Sequence, residues 1–274
     1  MKILISGYKG FIASNLHIAI LKEFTETEVI GFDKLDKIPA GPFDFVIHLA
    51  ALARTQECTE DPFGDSFDSN IILTNQLLKE IEFKHFIYAG SCACYGTQSD
   101  TVSENTSYSP PSIYAAQKAY SESLVRHFLG EKATILRLFN TYGPGQRQDG
   151  GYPNVIAAMI KSAKQKGVIE VTGNGLQTRD FVYVDDVIAA FIAAIKKPIS
   201  TTVNICSGVE TKILDLAIML SQQLNKPIKF IEERKFDIYK QVGANTKASL
   251  FLGWSPKVSL EAGVRNTLMK EGLI

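Results

Sequence analysis

The chain opens on a short apolar run, Ile3-Leu4-Ile5, closed by Ser6-Gly7. A continuous apolar stretch of this length, ended by a turn residue, reads as a parallel strand buried on both faces. Past Gly7 and Gly10 the apolar positions take helical spacing through Phe24, and residues 28–32 form a second strand-like run. Residues 45–49, 86–89 and 134–139 repeat the strand pattern, and 71–82 and 115–129 repeat the helical one. Strands alternating with helices predict a doubly wound parallel α/β sheet. After Asn140 the composition changes to a Gly/Pro-rich loop over 141–151, then a helix from about 153 to 165 and mixed α/β segments. The helical run 185–195 and the apolar run 203–205 return to the first sheet. The expected division is therefore 1–140 with about 173–205 in one domain, and about 141–172 with 206–274 in a smaller one.

Several residues on this framework carry chemistry. Strand, glycine turn and helix at the N-terminus suit a dinucleotide: Gly7 permits the turn, Gly10 admits a pyrophosphate, and the helix beginning at Phe11-Ile12 receives its charge. The spacing is Gly-x-x-Gly-x-x-Ala rather than the common Gly-x-Gly-x-x-Gly. Asp33, at the end of the second strand, is placed to accept hydrogen bonds from ribose hydroxyls. It would repel a 2′-phosphate, favouring NAD over NADP. Tyr114 and Lys118 stand four apart, on one face of a helix. An ammonium beside a phenol favours phenolate, so Tyr114 is expected to titrate below its usual value of ~10. The spacing alone also suits two surface residues of an amphipathic helix.

Charge and composition remove other classes. With 29 basic and 29 acidic residues the net charge is zero, which gives no electrostatic case for nucleic acid or membrane partners. A hydrophobic content of 45% suits a globular fold. Four scattered cysteines suggest no disulfide framework. Cys92-x-Cys94 lacks a partner pair at metal-ligand spacing, so no metal is expected. The composition points to the cytosol.

The motifs read together carry a resemblance. The glycine turn, His48-Leu49-Ala50-Ala51, Ser91-Cys92-Ala93-Cys94-Tyr95-Gly96, Tyr114-x-x-x-Lys118 and Arg137-Leu138-Phe139-Asn140-x-Tyr142-Gly143-Pro144 follow in order. The run from Gly173 to Val187, with Gln177-x-Arg179-Asp180-Phe181 inside it, comes next; Asn204-Ile205-Cys206-Ser207-Gly208 and Leu252-Gly253-Trp254-Ser255-Pro256 complete the series. The chain resembles an extended short-chain dehydrogenase/reductase of the nucleotide-sugar-modifying, 4-epimerase-like group. The resemblance implies a Rossmann-type fold with a smaller α/β substrate domain, bound NAD, a nucleotide-sugar substrate and a homodimer. Tyr114 is then the base, Lys118 its partner, and Ser91 the hydroxyl on the reacting oxygen. Gly7, Gly10, Phe11, Ile12, Asp33, Leu49, Ala50, Ala51 and Asn70 are implied to contact the cofactor along with Tyr114 and Lys118. Ser91, Asn140, Arg179, Arg234 and Asp237 are implied to contact the substrate, the arginines clamping its diphosphate. The helices 71–82 and 115–129 are implied to pair across a dimer axis, where apolar residues such as Leu73, Leu77 and Leu124 suit the contact or, equally, the core.

Departures from the family pattern refine this reading. Relatives place a further strand and helix between Asp33 and Asp44-Phe45; here stands Ile38-Pro39-Ala40-Gly41-Pro42, so one edge strand is expected to be missing. Nucleotide-sugar 4,6-dehydratases carry an Asp-Glu pair directly after the Ser/Thr, where this chain has Cys92 and Ala93, which disfavours dehydration. Gln241 falls where some epimerases have a bulky aromatic beside the sugar, which makes room for a 2-acetamido group. A 4-epimerase is the first reading. A 4-keto-6-deoxysugar reductase using exchangeable NAD(P)H, and a non-catalytic dinucleotide-binding sensor or scaffold, stay open as alternatives.

Overall fold

The structure is a computed structural model that describes residues 1–34, 36–147, 154–233 and 238–274. Strands β1 (Lys2–Ser6), β2 (Glu28–Phe32), β3 (Phe43–His48), β4 (Phe83–Ser91) and β5 (Ala133–Leu138) join a sixth strand, Thr201–Ile205, in one sheet. The order is sixth strand, β5, β4, β3, β1, β2, and every pairing is parallel. This is the Rossmann-type arrangement, with helices on both faces. The strand order reverses between β1 and β3, and the carboxyl ends of these two strands open a crevice there.

Side chains on alternate faces of β1 feed two cores, as the period of a strand requires. Ile3 and Ile5 join the first core, with Ala13, Leu16 and Ile20 of helix Phe11–Glu23 and with helix Val184–Lys196. Leu4 joins the second core, with Val46, Phe86 and Tyr88, covered by Leu77 of helix Leu73–Glu80 and Val125 of helix Ile113–Leu129.

β2 is the edge strand, so the missing seventh strand expected from the short connection is indeed absent among the described residues. The connection 33–42 passes from β2 to β3, which lie on either side of β1. Ile38 of this connection packs against the second core, as does Ile30 of β2.

Among the described residues, three small two-stranded sheets lie outside the central one: Asn140–Tyr142 with Phe181–Tyr183, Thr178–Arg179 with Thr211–Lys212, and Ile169–Thr172 with Ile228–Ile231. Thr141 and Tyr142, read as the start of a loop, thus lie in a strand with Asn140. The backbone groups of this strand find partners in Phe181–Tyr183, a distant segment that local pattern does not reveal.

Of the apolar residues that suited a dimer contact or the core, two take the core. Leu77 is fully buried in the second core, Leu73 packs against that core, and Leu124 is half-buried. The exposed apolar side chains of the Ile113–Leu129 helix are instead Ile113, Tyr120 and Phe128. No described helix is long and apolar enough to cross a membrane.

Candidate active site

β1 ends at Ser6 and the chain turns at once through Gly7, at φ 70°. A side chain is excluded there twice over, by that left-handed conformation and by space. A Cβ on Gly7 would lie 2.7 Å from the Ala50 Cα, because the Leu49-Ala50-Ala51 segment leaving β3 runs against the turn. Gly10 is the N-cap of helix Phe11–Glu23, and its Cβ would meet the Gly7 carbonyl oxygen at 2.9 Å. No side chain caps that helix, so its first N–H groups and the positive end of its dipole face the cleft. This bare cradle fits a pyrophosphate. Asp33 stands at its rim, its carboxylate accepting from Lys9 N at 2.9 Å and Lys34 N at 3.2 Å.

His48 supports the Ala50 segment from behind. Its Nδ1 lies 2.6 Å from Ser6 Oγ and its Nε2 lies 2.9 Å from Thr74 Oγ1, and Ala50 N donates to Ser6 Oγ at 3.2 Å. Burial, with the nearby Lys118 charge, pushes its pKa down to about 3. It is a neutral strut, not an acid or base.

A cleft of about 1740 Å³ runs from this cradle past the ends of β4 and β5. Ser91 ends β4, its hydroxyl accepting from Ala93 N at 3.2 Å. Tyr114 lies in the first turn of helix Ile113–Leu129, whose N-terminus Ser112 caps through Ala115 N. Lys118 follows one turn later, and all three residues line the cleft. Burial pushes the Tyr114 phenol up to about 12, against a hydrogen bond with Ser91 that lowers it. Burial also brings Lys118 down to about 7. The expectation that Lys118 holds Tyr114 below its usual value is therefore corrected for this structure: desolvation dominates, and the ammonium lies 4.2 Å from the centroid of the Tyr88 ring.

The remaining expected residues divide into three groups. Phe11, Ile12, Leu49, Ala50, Ala51, Asn140 and Arg179 line the cleft. Asn140 Nδ2 donates to the Asp180 carbonyl at 3.1 Å, and Arg179 Nη1 donates to the carbonyls of Thr178 at 2.8 Å and Ile238 at 2.5 Å. Asn70 lies behind the wall. It sits in a π-helical turn, Asp68–Ile72, where its Oδ1 accepts from Leu52 N at 2.8 Å and its Nδ2 donates to Gln117 Oε1 at 2.7 Å. The π turn puts Asp68, Ser69 and Ile72 on the cleft instead. Asn70 thereby brackets the Tyr114 helix to the 52 segment, its carbonyl also accepting from Ser121 Oγ at 2.6 Å. Arg234 and Asp237 lie outside the described residues.

Three features escaped the sequence reading. Arg137 and Glu122 form a fully buried ion pair, with Nη2 2.7 Å from Oε1. Tyr108 Oη donates to the same carboxylate at 2.6 Å, and the guanidinium lies against the rings of Tyr95 and Tyr108. An arginine inside the apolar run of β5 was a visible signal, since such a residue is seldom buried unpaired. The Asp180 carboxylate accepts from Ser207 N and Oγ, Gly208 N and Gly243 N, pinning three segments beneath the cleft. Gln241, named in the sequence, is held at both ends by one residue: Nε2 donates to the Cys92 carbonyl at 2.9 Å, and Cys92 Sγ donates to Oε1 at 3.1 Å. Among the described residues no three His, Cys, Asp or Glu side chains gather as a metal site.

A model of the NAD dependent epimerase/dehydratase family matches residues 3–206. A UDP-glucuronate 4-epimerase of Thermodesulfobacterium geofontis is 30% identical over 257 residues, covering 90% of this chain and 78% of the relative. A putative UDP-glucose 4-epimerase of Methanocaldococcus jannaschii is 30% identical over 285 residues, covering 97% and 92%. The crystal structure of UDP-glucuronic acid 4-epimerase from Bacillus cereus, in complex with UDP-glucuronic acid and NAD, has a TM-score of 0.89 and 29% identity, covering 100% of both chains. By sequence and by fold, the chain belongs to the NAD dependent epimerase/dehydratase family.

Proposed function

We propose that this chain is an NAD-dependent 4-epimerase of UDP-sugars. The observation that carries the reading is the convergence of Ser91, Tyr114 and Lys118 on one cleft with the Gly7–Gly10 cradle and Asp33. When bound, NAD would supply the hydride acceptor and donor for sugar C4. Gly7, Gly10 and the helix N-terminus hold its pyrophosphate, and Asp33 its adenosine ribose. Tyr114 takes the proton from the C4 hydroxyl as hydride leaves and gives it back on reduction. Ser91 donates to or accepts from the same oxygen as it changes between alcohol and ketone. Lys118 supports the charge on Tyr114. Arg179 and Asn140 face the nucleotide diphosphate.

Elimination of water is disfavoured at this site. The Cys92 thiol is turned to Gln241, burial raises its pKa well above the ordinary thiol value, and Ala93 has no acid. Gln241, pinned against Cys92, leaves space beside the sugar for an N-acetyl group. The experiment is product chromatography with UDP-glucose, UDP-glucuronate and UDP-N-acetylglucosamine, together with identification of the dinucleotide released on denaturation. Interconversion with the 4-epimer and release of NAD are expected. NADPH-dependent reduction of a 4-keto-6-deoxy sugar nucleotide, without any interconversion, would instead establish the reductase.

The same reading assigns 1–140 and about 173–205 to cofactor binding and about 141–172 and 206–274 to the substrate, in a cytosolic homodimer. The stripe of Ile113, Tyr120 and Phe128, with half-buried Leu124 between them, offers the dimer face. Sedimentation giving a dimer that Tyr120→Glu dissociates supports it; a monomer at micromolar concentration removes it.

A further inference from the structure

We propose that Tyr88, on β4, is a positioning residue for Lys118: its ring face holds the ammonium in place and keeps it charged inside the cleft. This inference rests on the epimerase reading for its kinetic consequence, although not for the contact itself.

The geometry is specific. Lys118 is 4% exposed, so its charge is almost removed from water. Its Nζ lies 4.2 Å from the Tyr88 ring centroid, within the range where an aromatic quadrupole attracts a cation. Tyr88 is fully buried, and its ring is fixed by the His48 imidazole, 5.6 Å away between centroids. The Tyr88 hydroxyl is buried beside Ser121, whose own hydroxyl donates to the Asn70 carbonyl. What this side chain offers its neighbour is its face.

Other groups also act on Lys118. His48 on β3 is held neutral by burial. Glu122, one turn along the same helix, favours the charged lysine, whereas Cys94 in the turn after β4 is held as a neutral thiol by burial, its pKa raised to about 12. Glu122 is already bonded by Arg137 and Tyr108, so much of its charge is answered elsewhere. Tyr114, one turn earlier, competes with Lys118 for a proton.

That competition gives the contact a function. When the Tyr114–Lys118 pair carries one proton, it exists either as phenol with neutral amine or as phenolate with ammonium. Moving the proton from Tyr114 Oη to Lys118 Nζ changes no net charge, so the ratio of the two forms does not depend on pH. Only the second form can take a proton from the sugar. Burial biases the pair toward the first, with Tyr114 at about 12 and Lys118 at about 7. A π face against Nζ shifts the balance back toward the catalytic form.

The test has two arms. In the first, the protein is labelled at lysine 13Cε and titrated by NMR, with the Lys118 signal identified by its loss in Lys118→Arg. Tyr88→Leu should lower the Lys118 midpoint by about one pH unit, the scale of a desolvated cation–π contact. Tyr88→Phe keeps the ring and should keep the midpoint. Should Tyr88→Leu fail to fold, Tyr88→trifluorophenylalanine keeps the volume while weakening the quadrupole, and should lower the midpoint in the same direction. In the second arm, the plateau kcat of the Leu variant should fall about tenfold while its acid limb moves down by about one unit. A purely structural defect would lower kcat without that movement of the limb. Absence of turnover in the wild type would reject the epimerase and leave the NMR arm intact. An unmoved Lys118 midpoint in the Leu or the fluorinated variant would overturn the proposal.

Discussion

A Cβ on Gly7 would stand 2.7 Å from the Ala50 Cα, so the turn after β1 and the segment after β3 are in backbone contact at the point where the strand order reverses. Gly7→Ala must break that contact and also adopt φ 70° with a side chain. The left-handed conformation alone costs ~1–2 kcal/mol. The variant should melt lower and bind NAD at least about tenfold more weakly, because the cradle opens by whatever distance the Cβ requires. Calorimetric titration of NAD into both proteins measures this; equal affinities would show that the cradle is not where the pyrophosphate binds.

Tyr114→Phe keeps the ring and removes the proton acceptor. It should fold, bind NAD as the wild type does, and lose nearly all turnover. Ser91→Ala should lose ~10²-fold or more in kcat, the scale of a missing acid–base or oxyanion-type contact. Steady-state rates on the preferred UDP-sugar decide it. A Phe variant within a few-fold of wild type would remove Tyr114 from its role.

Asp33 turns its carboxylate to the rim of the cradle, fixed by Lys9 N and Lys34 N. The wild type should bind NAD(H) more tightly than NADP(H), and Asp33→Ser should narrow the gap by relieving repulsion of the 2′-phosphate. Fluorescence titration with the two reduced cofactors reads the ratio directly. A wild-type preference for NADPH would contradict the assignment.

His48 makes stability depend on pH. Its folded pKa is about 3, against an unfolded value of ~6.5. Between these values the unfolded chain binds more protons, so stability falls as pH falls through that window. At pH ~5 the loss attributable to this side chain is ~2 kcal/mol, at ~1.4 kcal/mol per pH unit below 6.5. Urea denaturation at pH ~7.5 and ~5 should show the wild type losing more stability than His48→Gln. Equal losses would mean that His48 is not held neutral.

Much of the sheet was legible because strand burial on both faces leaves a plain signal. The run Ile3-Leu4-Ile5 is apolar throughout since Ile3 and Ile5 enter one core and Leu4 the other. Tyr114 and Lys118 were legible because helical spacing fixes their shared face whatever lies around them. Asn70 was not, because a π turn rotates it behind the wall and leaves Ile72 on the cleft. Arg137 and Glu122 meet through the packing of a strand on a helix, which sequence separation hides. The upward shift of the Tyr114 phenol runs against the spacing because desolvation is a property of the surrounding fold, whereas Tyr-x-x-x-Lys shows only the neighbouring charge.

The central claim is that hydride leaves sugar C4 and returns to the same carbon within one site. The most direct measurement is incubation of the purified protein with a UDP-hexose deuterated at C4, with mass and NMR analysis of the 4-epimer formed. Interconversion is expected with deuterium retained at C4 and none passed to added NAD or to solvent. Loss of the label, a dehydrated 4-keto product, or no epimer from any of the UDP-sugar pairs would contradict that claim.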